Sequence, residues 1–381
     1  MRILINALSV GSLSGVHVLF GHLTQLSRMT EGVHEFVVLH HPHDNFSDRC
    51  TGTNVSWQAA PASLQNWLKR SIWESVCLPR KLRNLSIDLM FTPSGTAIPN
   101  CRVPQISLAQ NPWCLVRGLH QSQTQRLKAG MQRRAYRQAM RTAALMIYNS
   151  HHIESLYRAN AGGSIENSSA VVYQAIDDET HVQADVARRS VSKHPHRILS
   201  VSAMAHWKGV ETGVQAVSEL HRRGIEAQLR LVGPWPDPSY ERLVRSEIGR
   251  LRLTDHVAIT GQVSREQLHR EYAEATVFCL MSRCESFGIP AVEAQAFGTP
   301  VVGSDVCAMP EICGDGGRFA AAGDALATAD LLEPMLADSA HWNTLSQAAV
   351  SNAHRFRWSL CSAPLKDLLS QVGRTAGLAA C

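Results

Sequence analysis

Short apolar runs alternate with longer segments of helical periodicity along the chain, and this alternation restricts the fold more than any other feature. In the second half, the apolar runs 198–202, 227–232 and 277–280 are separated by segments with apolar residues every three or four positions. Strands that alternate with helices form parallel sheets, because each helix carries the chain back across the sheet. The sequence therefore predicts an α/β fold.

The length of 381 residues suits two domains of ordinary size. Residues 177–196 are polar, charged and poor in apolar side chains, which predicts a linker. Each half begins with its own strand and loop, so we expect a first domain at 1–178 and a second at 195–355. The remaining residues, 356–381, have a helical pattern and an aromatic cluster suited to packing back on the first domain.

Charge and composition exclude several classes of protein. The chain is 45% hydrophobic and 18% charged, which is ordinary for a globular protein and excludes disorder. A net charge of +5 suits a phosphorylated ligand or an anionic membrane surface, but with aromatic residues at 6% it does not indicate a nucleic-acid partner. No apolar stretch is long enough to span a bilayer, and we expect no signal peptide because no cleavage site follows the N-terminal apolar run.

Cysteine and histidine spacing gives no indication of a metal site. The ten cysteines include no C-x-x-C pair, which suits small core residues in a reducing cytosol. His40, His41 and His43 stand close together, but no cysteine or carboxylate spacing completes a ligand set. We expect a cytoplasmic protein without a bound metal.

The most informative segment is 283–300, which reads RCESFGIPAVEAQAFGTP. Pro290 suits the first turn of a helix and Gly298 the position just past its end, so a loop leads into a short helix. Glu285 then lies on the loop and Glu293 inside the helix, from where both carboxylates can reach one cleft. Carboxylates accept hydrogen bonds from paired hydroxyls, and the N–H groups of a helix N-terminus suit anions or sugar hydroxyls.

This segment resembles the E-x7-E motif of retaining glycosyltransferases of the GT-B fold, especially glycosyltransferase family 4. Other fragments match that family in order and spacing, namely Lys208-Gly209-Val210, Gly261-Gln262-Val263-Ser264, the run 268–279 and Gly298-Thr299-Pro300-Val301-Val302. The resemblance covers nearly all of the second domain and, more loosely, the first. It implies an α/β fold with two Rossmann-like lobes whose parallel sheets face a central cleft.

The resemblance also implies a role for each matching residue. It assigns Glu293 to the ribose of a nucleotide-sugar donor, Glu285 to hydroxyls of the transferred sugar, and Lys208 to the charge of the leaving diphosphate. The other implied donor contacts are made by backbone groups or small residues, namely Phe287, Gly288, Ile289, Val263 near the base, and Gly15 in the first lobe.

Gly15 belongs to the loop 11–16, which follows the first strand and opens a helix. A glycine here lets the backbone approach a diphosphate closely, and it equally suits a plain strand-to-helix turn, so both interpretations stay open. The loop lacks the G-x-G-x-x-G spacing of a dinucleotide-binding fold, which disfavours an NAD-linked oxidoreductase.

Two positions depart from the family pattern. Ala203 stands five residues before Lys208, where many members have an arginine, so the diphosphate charge would rest on Lys208, backbone amides or another cation such as His206. Gln110 begins a loop that often starts with histidine, and Gln110 and Asn111 can hydrogen bond to an acceptor sugar but cannot take up a proton. These departures leave a catalytically weak nucleotide-sugar-binding protein as the alternative function.

Residues 66–85 mix Trp, Ile and Leu with five basic side chains. Such a pattern suits a basic amphipathic face on a membrane, and it equally suits a helix packed on the first sheet with a solvated basic side. Residues 117–141 have the same ambiguity.

Taken with the resemblance, these features predict retaining, metal-independent and cofactor-independent transfer of a hexose from a UDP- or GDP-sugar to a saccharide or lipid-linked saccharide. Lys208 and helix-end amides would take the place of a metal cation at the diphosphate. Bacterial members of the family assemble surface polysaccharides such as lipopolysaccharide, which implies a cytoplasmic enzyme, peripheral on the inner face of the membrane.

Overall fold

The computed structural model describes residues 1–11, 13–44, 46–120, 122–162 and 168–379. Its chain divides into two units. The first unit contains Met1–Ala175 together with Trp358–Cys381, and the second contains Ile176–Arg357.

The first unit is built on a seven-stranded parallel sheet. Its strands are β1 (Arg2–Asn6), β2 (Glu35–His40), β3 (Val55–Ala59), β4 (Leu89–Thr92), β5 (Gln105–Ala109), β6 (Leu145–Tyr148) and β7 (Ser169–Val171), in the order β3-β2-β1-β4-β5-β6-β7. The helices between them are α1 (Leu13–Met29), α2 (Trp67–Val76), α3 (Leu78–Asn84), α4 (Gln123–Thr142) and α5 (His151–Ala161). The central strands are buried along their length because helices cover both faces of the sheet.

The second unit has a six-stranded parallel sheet. Its strands are β8 (Arg197–Val201), β9 (Gln228–Val232), β10 (Val257–Gly261), β11 (Val277–Leu280), β12 (Val301–Ser304) and β13 (Gly317–Ala320), in the order β10-β9-β8-β11-β12-β13. Its helices are α6 (Asp178–Ser190), α7 (Val210–Arg222), α8 (Pro238–Arg250), α9 (Arg265–Glu274), α10 (Ile289–Ala296), α11 (Met309–Cys313), α12 (Ala325–Ala337) and α13 (Ser339–Ala353). The predicted α/β class is confirmed.

The strand order of each sheet reverses beside the first strand of the unit. Strand β1 lies between β2 and β4, and strand β8 lies between β9 and β11. Consecutive loops leave the sheet in opposite directions at such a point and open a crevice at the carboxyl ends of the strands. In each unit, this edge is where a ligand site is expected.

The last helix, α14 (Trp358–Ala379), belongs to the first unit. The Trp358 ring packs edge-on against the His22 ring of α1, with centroids 5.0 Å apart. Leu365 and Leu369 are buried in the same core as the strand residues Ile3 and Ile5. The chain end therefore completes the hydrophobic core on one face of the first sheet.

Residues 177–196 differ from the predicted linker. Most of this segment forms α6, whose inward side buries Thr180, His181 and Ala184. The sequence pattern was misleading because a helix can bury a narrow stripe of small and polar residues, and His181 is satisfied by the carbonyl oxygen of Phe356 at 3.2 Å.

None of the helices in the described part of the chain is both long enough and apolar enough to cross a membrane.

Candidate active site

Lys208 and Glu285 meet at the carboxyl edge of the second sheet. Lys208 lies in the loop after β8, and Glu285 lies between β11 and α10. Because β8 pairs with β11, these loops leave neighbouring strands. The Lys208 Nζ lies 2.5 Å from Glu285 Oε2, and the two side chains are 16% and 15% exposed. The sheet thus brings together a cation and a carboxylate that are 77 positions apart in sequence.

Backbone packing holds the loop of Lys208 against the end of β11. Gly209 has a φ of +63°, and a Cβ at this position would lie 2.2 Å from the carbonyl oxygen of Met281, so only glycine permits the close approach. The Arg283 N–H donates to the carbonyl oxygen of Trp207 at 2.7 Å. These backbone contacts fix the loop of Lys208, and the contact with Glu285 positions its ammonium.

The helix that follows Glu285 lies where the sequence predicts one. Helix α10 has Pro290 in its first turn, and Gly298 follows its end with a φ of +71°. Gly288 caps the N-terminus with a φ of +94°, and a Cβ on it would lie 2.7 Å from Met309 Sδ. The prediction of a loop that leads into a short helix is confirmed.

Phe287 and Ile289 flank the cap of α10. The Phe287 side chain is fully buried, and its ring packs edge-on against Phe356, with centroids 5.3 Å apart. Such a side chain anchors the loop in the core and leaves only the backbone for a ligand. The first N–H groups of a helix carry a partial positive charge, so this turn suits an oxygen-rich ligand.

Glu293 is the fifth residue of α10 and is half-buried. The buried hydroxyl of Tyr272 donates a hydrogen bond to Glu293 Oε2 at 2.8 Å. Burial raises the pKa of Glu293 to about 7, although the Tyr272 hydrogen bond and the charge of Arg265 act in the opposite direction. This carboxyl therefore changes its ionisation near neutral pH.

Sequence reasoning missed Tyr272 and the residues that hold it. The backbone oxygen of Tyr272 accepts hydrogen bonds from Thr299 Oγ1 at 2.9 Å and from Lys193 Nζ at 3.3 Å. Burial lowers the pKa of Lys193 to about 7. No local spacing could have identified this partner, since Tyr272 and Glu293 are 21 positions apart on two different helices.

Val263 lies farther along the same edge of the second sheet. It follows β10, is half-buried, and directly precedes Ser264, whose side chain caps α9. Strand β10 is separated from β8 by β9, which places the loop of Val263 about 10 Å across the sheet from the loop of Lys208. The role of Val263 near the base stays a prediction.

The predicted residues of the first unit lie at the carboxyl edge of the first sheet. Gly15 is buried in the first turn of α1, and Ser12 of the preceding loop lies outside the described residues. Gln110 follows β5, and its Nε2 donates to the carbonyl oxygen of Pro93 at 3.1 Å. Asn111 Oδ1 accepts from the Trp113 N–H at 3.0 Å and shapes the loop. The Gln110 side chain keeps its amide oxygen for a further partner.

Ala203 occupies the position at which the family pattern has an arginine, and it is exposed beside the Lys208 loop. His206 is half-buried, and its ring stands edge-on to Trp207 with centroids 5.0 Å apart. No group of three or more His, Cys, Asp or Glu side chains that could hold a metal ion occurs among the residues that the structure describes. The site as built contains one carboxylate paired with a lysine and one carboxyl paired with a tyrosine.

Comparison with known proteins shows which family the second half of the chain resembles. Residues 183–353 match the family described as "Glycosyl transferases group 1". A D-inositol 3-phosphate glycosyltransferase of Corynebacterium aurimucosum is 30% identical over 198 residues, which are 49% of this chain and 46% of that enzyme. The chain therefore matches about half of the length of this curated relative.

Solved structures resemble the whole chain. A sucrose-phosphate synthase from Thermosynechococcus elongatus has a TM-score of 0.74 at 19% identity, with 98% of this chain and 100% of that chain covered. Anabaena HepE in complex with UDP and glucose has a TM-score of 0.70 at 19% identity, with 97% and 99% covered. These likenesses and the two parallel sheets confirm the predicted GT-B class with two Rossmann-like domains.

Proposed function

We propose that the protein transfers a hexose from a UDP- or GDP-sugar to a saccharide or lipid-linked saccharide, because residues 183–353 match the group 1 glycosyl transferases. The observation that carries the proposal is the pairing of Lys208 with Glu285 at the switch point of the second sheet, one short loop before the helix of Glu293. A cation that suits a diphosphate is thus followed along one edge by carboxylates that can accept hydrogen bonds from sugar and ribose hydroxyls.

Each residue of the edge has a proposed task. Glu293 accepts hydrogen bonds from the ribose hydroxyls, and Glu285 accepts them from the transferred sugar. Lys208 neutralises the charge that develops on the leaving diphosphate. The N–H groups from Phe287 to Ile289 add partial positive charge at the same place, and Val263 lines the base.

The reaction is proposed to retain the anomeric configuration and to need no metal or other cofactor. The bond between the anomeric carbon and the diphosphate oxygen breaks, the acceptor oxygen bonds to the anomeric carbon on the same face, and the departing diphosphate takes the acceptor proton. Lys208 supplies on the protein side the positive charge that a metal would otherwise supply. Membership of glycosyltransferase family 4 is part of this proposal.

The first unit is proposed to bind the acceptor, with Gln110, Asn111 and Gly15 at its sheet edge. The relative from Corynebacterium aurimucosum is named for a phosphorylated cyclitol acceptor, and the excess of basic residues here suits an anionic acceptor as well. We place the reaction in the assembly of bacterial surface polysaccharide, such as lipopolysaccharide, on the cytoplasmic side of the membrane, with the exposed part of residues 66–85 at the membrane surface.

Thermal unfolding with UDP-, GDP- and ADP-glucose, with and without EDTA, tests the donor site. A ligand at 100 times its dissociation constant adds about 2.7 kcal/mol to the free energy of unfolding. We expect one nucleotide series to raise the melting temperature, to do so in EDTA, and to lose the effect in Glu293→Ala. The exposed Glu226 provides the matched control, since Glu226→Ala removes a carboxylate far from the site edge.

Product analysis completes this test. NMR of the first product formed identifies the anomer, and an inverted anomer contradicts the retaining mechanism. If no nucleotide-sugar stabilises the protein in the presence or absence of the acceptor, the donor site as drawn is wrong.

The exposed Ala203 supports a second candidate, a nucleotide-sugar-binding protein with weak or no transfer activity. The site then has a single lysine for the diphosphate, and this lysine is already paired with Glu285. A donor that binds with the expected thermal shift but yields no product in single-turnover mass spectrometry would establish this function.

A further inference from the structure

Helix α2 exposes a stripe of apolar side chains to solvent. None of its residues is buried. Leu68, Ile72 and Val76 are 53%, 58% and 59% exposed, and their spacing of four places them on one side of the helix. Trp67, at the start of the helix, is 56% exposed. Contiguous exposed apolar patches on a protein surface mark interaction sites.

The opposite side of the segment accounts for its packing on the sheet. Leu78 and Leu82 of α3 are buried against strand residues, and Trp73 of α2 packs on the same cluster. Glu74 accepts a hydrogen bond from Asn6 at 2.8 Å. The two interpretations of residues 66–85 thus apply to different parts: α3 packs on the sheet, and α2 turns its apolar side outward.

Helix α4 has a similar outer side with more charge. Leu127 and Met131 are 69% and 51% exposed and lie one turn apart. Its exposed cations are Arg126, Lys128, Arg134, Arg137 and Arg141. The helix contains no Asp or Glu. Its inner side buries Tyr136 and Met140, so the apolar and basic residues face away from the sheet.

The two helices cover the same face of the first sheet. Leu4 and Met90 are paired in register and pack with α3. Met90 is paired with Gln105, and Ser107 lies on the same face as Gln105 because it is two residues further along the strand. Ser107 is in turn paired with Met146, which packs with α4. The chain crosses the sheet in the same direction from β3 to β4 and from β5 to β6. Because such crossovers are right-handed, both place their helices on the same face of the sheet.

We propose that α2 and α4 together form a surface that binds a lipid bilayer containing anionic lipids. The exposed Leu, Ile and Val side chains enter the boundary between headgroups and acyl chains, and the cations of α4 bind the headgroups. A second copy of the chain is disfavoured as the occupant, because it would place one positive face against another. The inference deepens the proposed function, which supplies the reason for such binding, a lipid-linked acceptor.

Co-sedimentation with vesicles of phosphatidylcholine, with and without phosphatidylglycerol, tests the surface. We expect binding that requires phosphatidylglycerol and weakens as salt is added. The triple variant Arg134→Gln/Arg137→Gln/Arg141→Gln should bind on the order of 100-fold more weakly. The double variant Leu68→Gln/Ile72→Gln should lose at least about tenfold.

Matched control variants test whether vesicle binding depends on this surface or only on the total charge and hydrophobicity of the protein. The variant Arg189→Gln/Arg242→Gln/Arg270→Gln removes the same charge from exposed positions of the second unit. The variant Leu243→Gln/Leu326→Gln removes two leucines that are 56% and 59% exposed. Both controls should bind vesicles as the parent protein does.

Three results would overturn the proposal: a parent protein that does not sediment with anionic vesicles, control variants that lose as much binding as the surface variants, or light scattering that shows a dimer abolished by Leu68→Gln/Ile72→Gln. The nucleotide-induced thermal shift, measured on the same preparations, separates the two ideas. If the shift persists without vesicle binding, the surface is wrong and the donor site stands; vesicle binding without any shift contradicts the donor site instead.

Discussion

Replacing Glu285 with glutamine should tighten the binding of free UDP or GDP, although Glu285 belongs to the proposed site. In the unliganded protein its carboxylate lies 2.5 Å from the Lys208 ammonium. A diphosphate that reaches Lys208 must share the ammonium with this carboxylate. The Glu285→Gln variant keeps the shape of the side chain and removes the competing negative charge.

The geometry gives the magnitude. With the ammonium between them at hydrogen-bond distance on each side, the carboxylate and a phosphate oxygen are about 6 Å apart. Two like unit charges at that distance repel by about 1.4 kcal/mol at an effective dielectric constant of about 40, and by about 2.8 kcal/mol at about 20. Both side chains are about 15% exposed, so the range applies, and it corresponds to about 10- to 100-fold tighter binding.

Isothermal titration calorimetry at fixed ionic strength measures this change. Lys208→Met should weaken nucleotide binding, and Glu293→Gln should weaken it as well by removing the acceptor for the ribose. Only Glu285→Gln should strengthen it, while sugar transfer falls. The gain should shrink as salt screens the repulsion. Equal or weaker binding of both nucleotides by Glu285→Gln refutes the placement of the diphosphate at Lys208.

Three further predictions concern Glu293, Tyr272 and Gly288. Burial raises the pKa of Glu293 to about 7, so between about pH 4.5 and 7 the folded protein holds a proton that the unfolded chain, with an ordinary glutamate pKa, has lost. The free energy of unfolding should therefore fall as pH rises through this range. Nucleotide affinity should rise between about pH 6 and 8, because the carboxylate that accepts the ribose hydrogen bonds then forms. Glu293→Gln should remove both dependences in melting and titration curves, and unchanged curves would contradict the assignment. Tyr272→Phe removes the hydrogen bond to Glu293 and should weaken nucleotide binding about five- to tenfold. It should also move the pH dependence of nucleotide affinity to higher pH. A lower melting temperature with an unchanged pH dependence would indicate a purely structural role. Gly288→Ala places a Cβ at a φ of +94°, which should cost about 1–2 kcal/mol and lower the melting temperature by about 2–6 °C; an unchanged melting temperature would contradict the strained cap.

Local chemistry explains how much of the site could be predicted. Pro290 and Gly298 act within their own few residues, because a proline at the first turn and a glycine past the last turn fix dihedral angles locally. The position of α10 to within about one residue at each end, with Glu285 before it and Glu293 inside it, follows from these residues. The same applies to the alternation that gave the α/β class.

Contacts between segments that are distant in the chain could not be predicted from the sequence. The ion pair of Lys208 with Glu285 exists because β8 pairs with β11, and strand order cannot be derived from the strands themselves. Tyr272 was missed for a related reason, since its hydroxyl reaches Glu293 from a neighbouring helix. The exposed stripe of α2 depends on which side of the helix the sheet occupies.

By itself, therefore, the sequence determined the class of fold, the motif at 283–300 and the chemical types of the residues at the site, since these depend on periodicity and on neighbours in the chain. The tertiary structure alone decided which carboxylate has a lysine and which has a tyrosine, and that 177–196 is mostly a helix. Those features arise when burial of apolar surface selects among many possible pairings of distant segments, and that selection is a property of the whole packed unit.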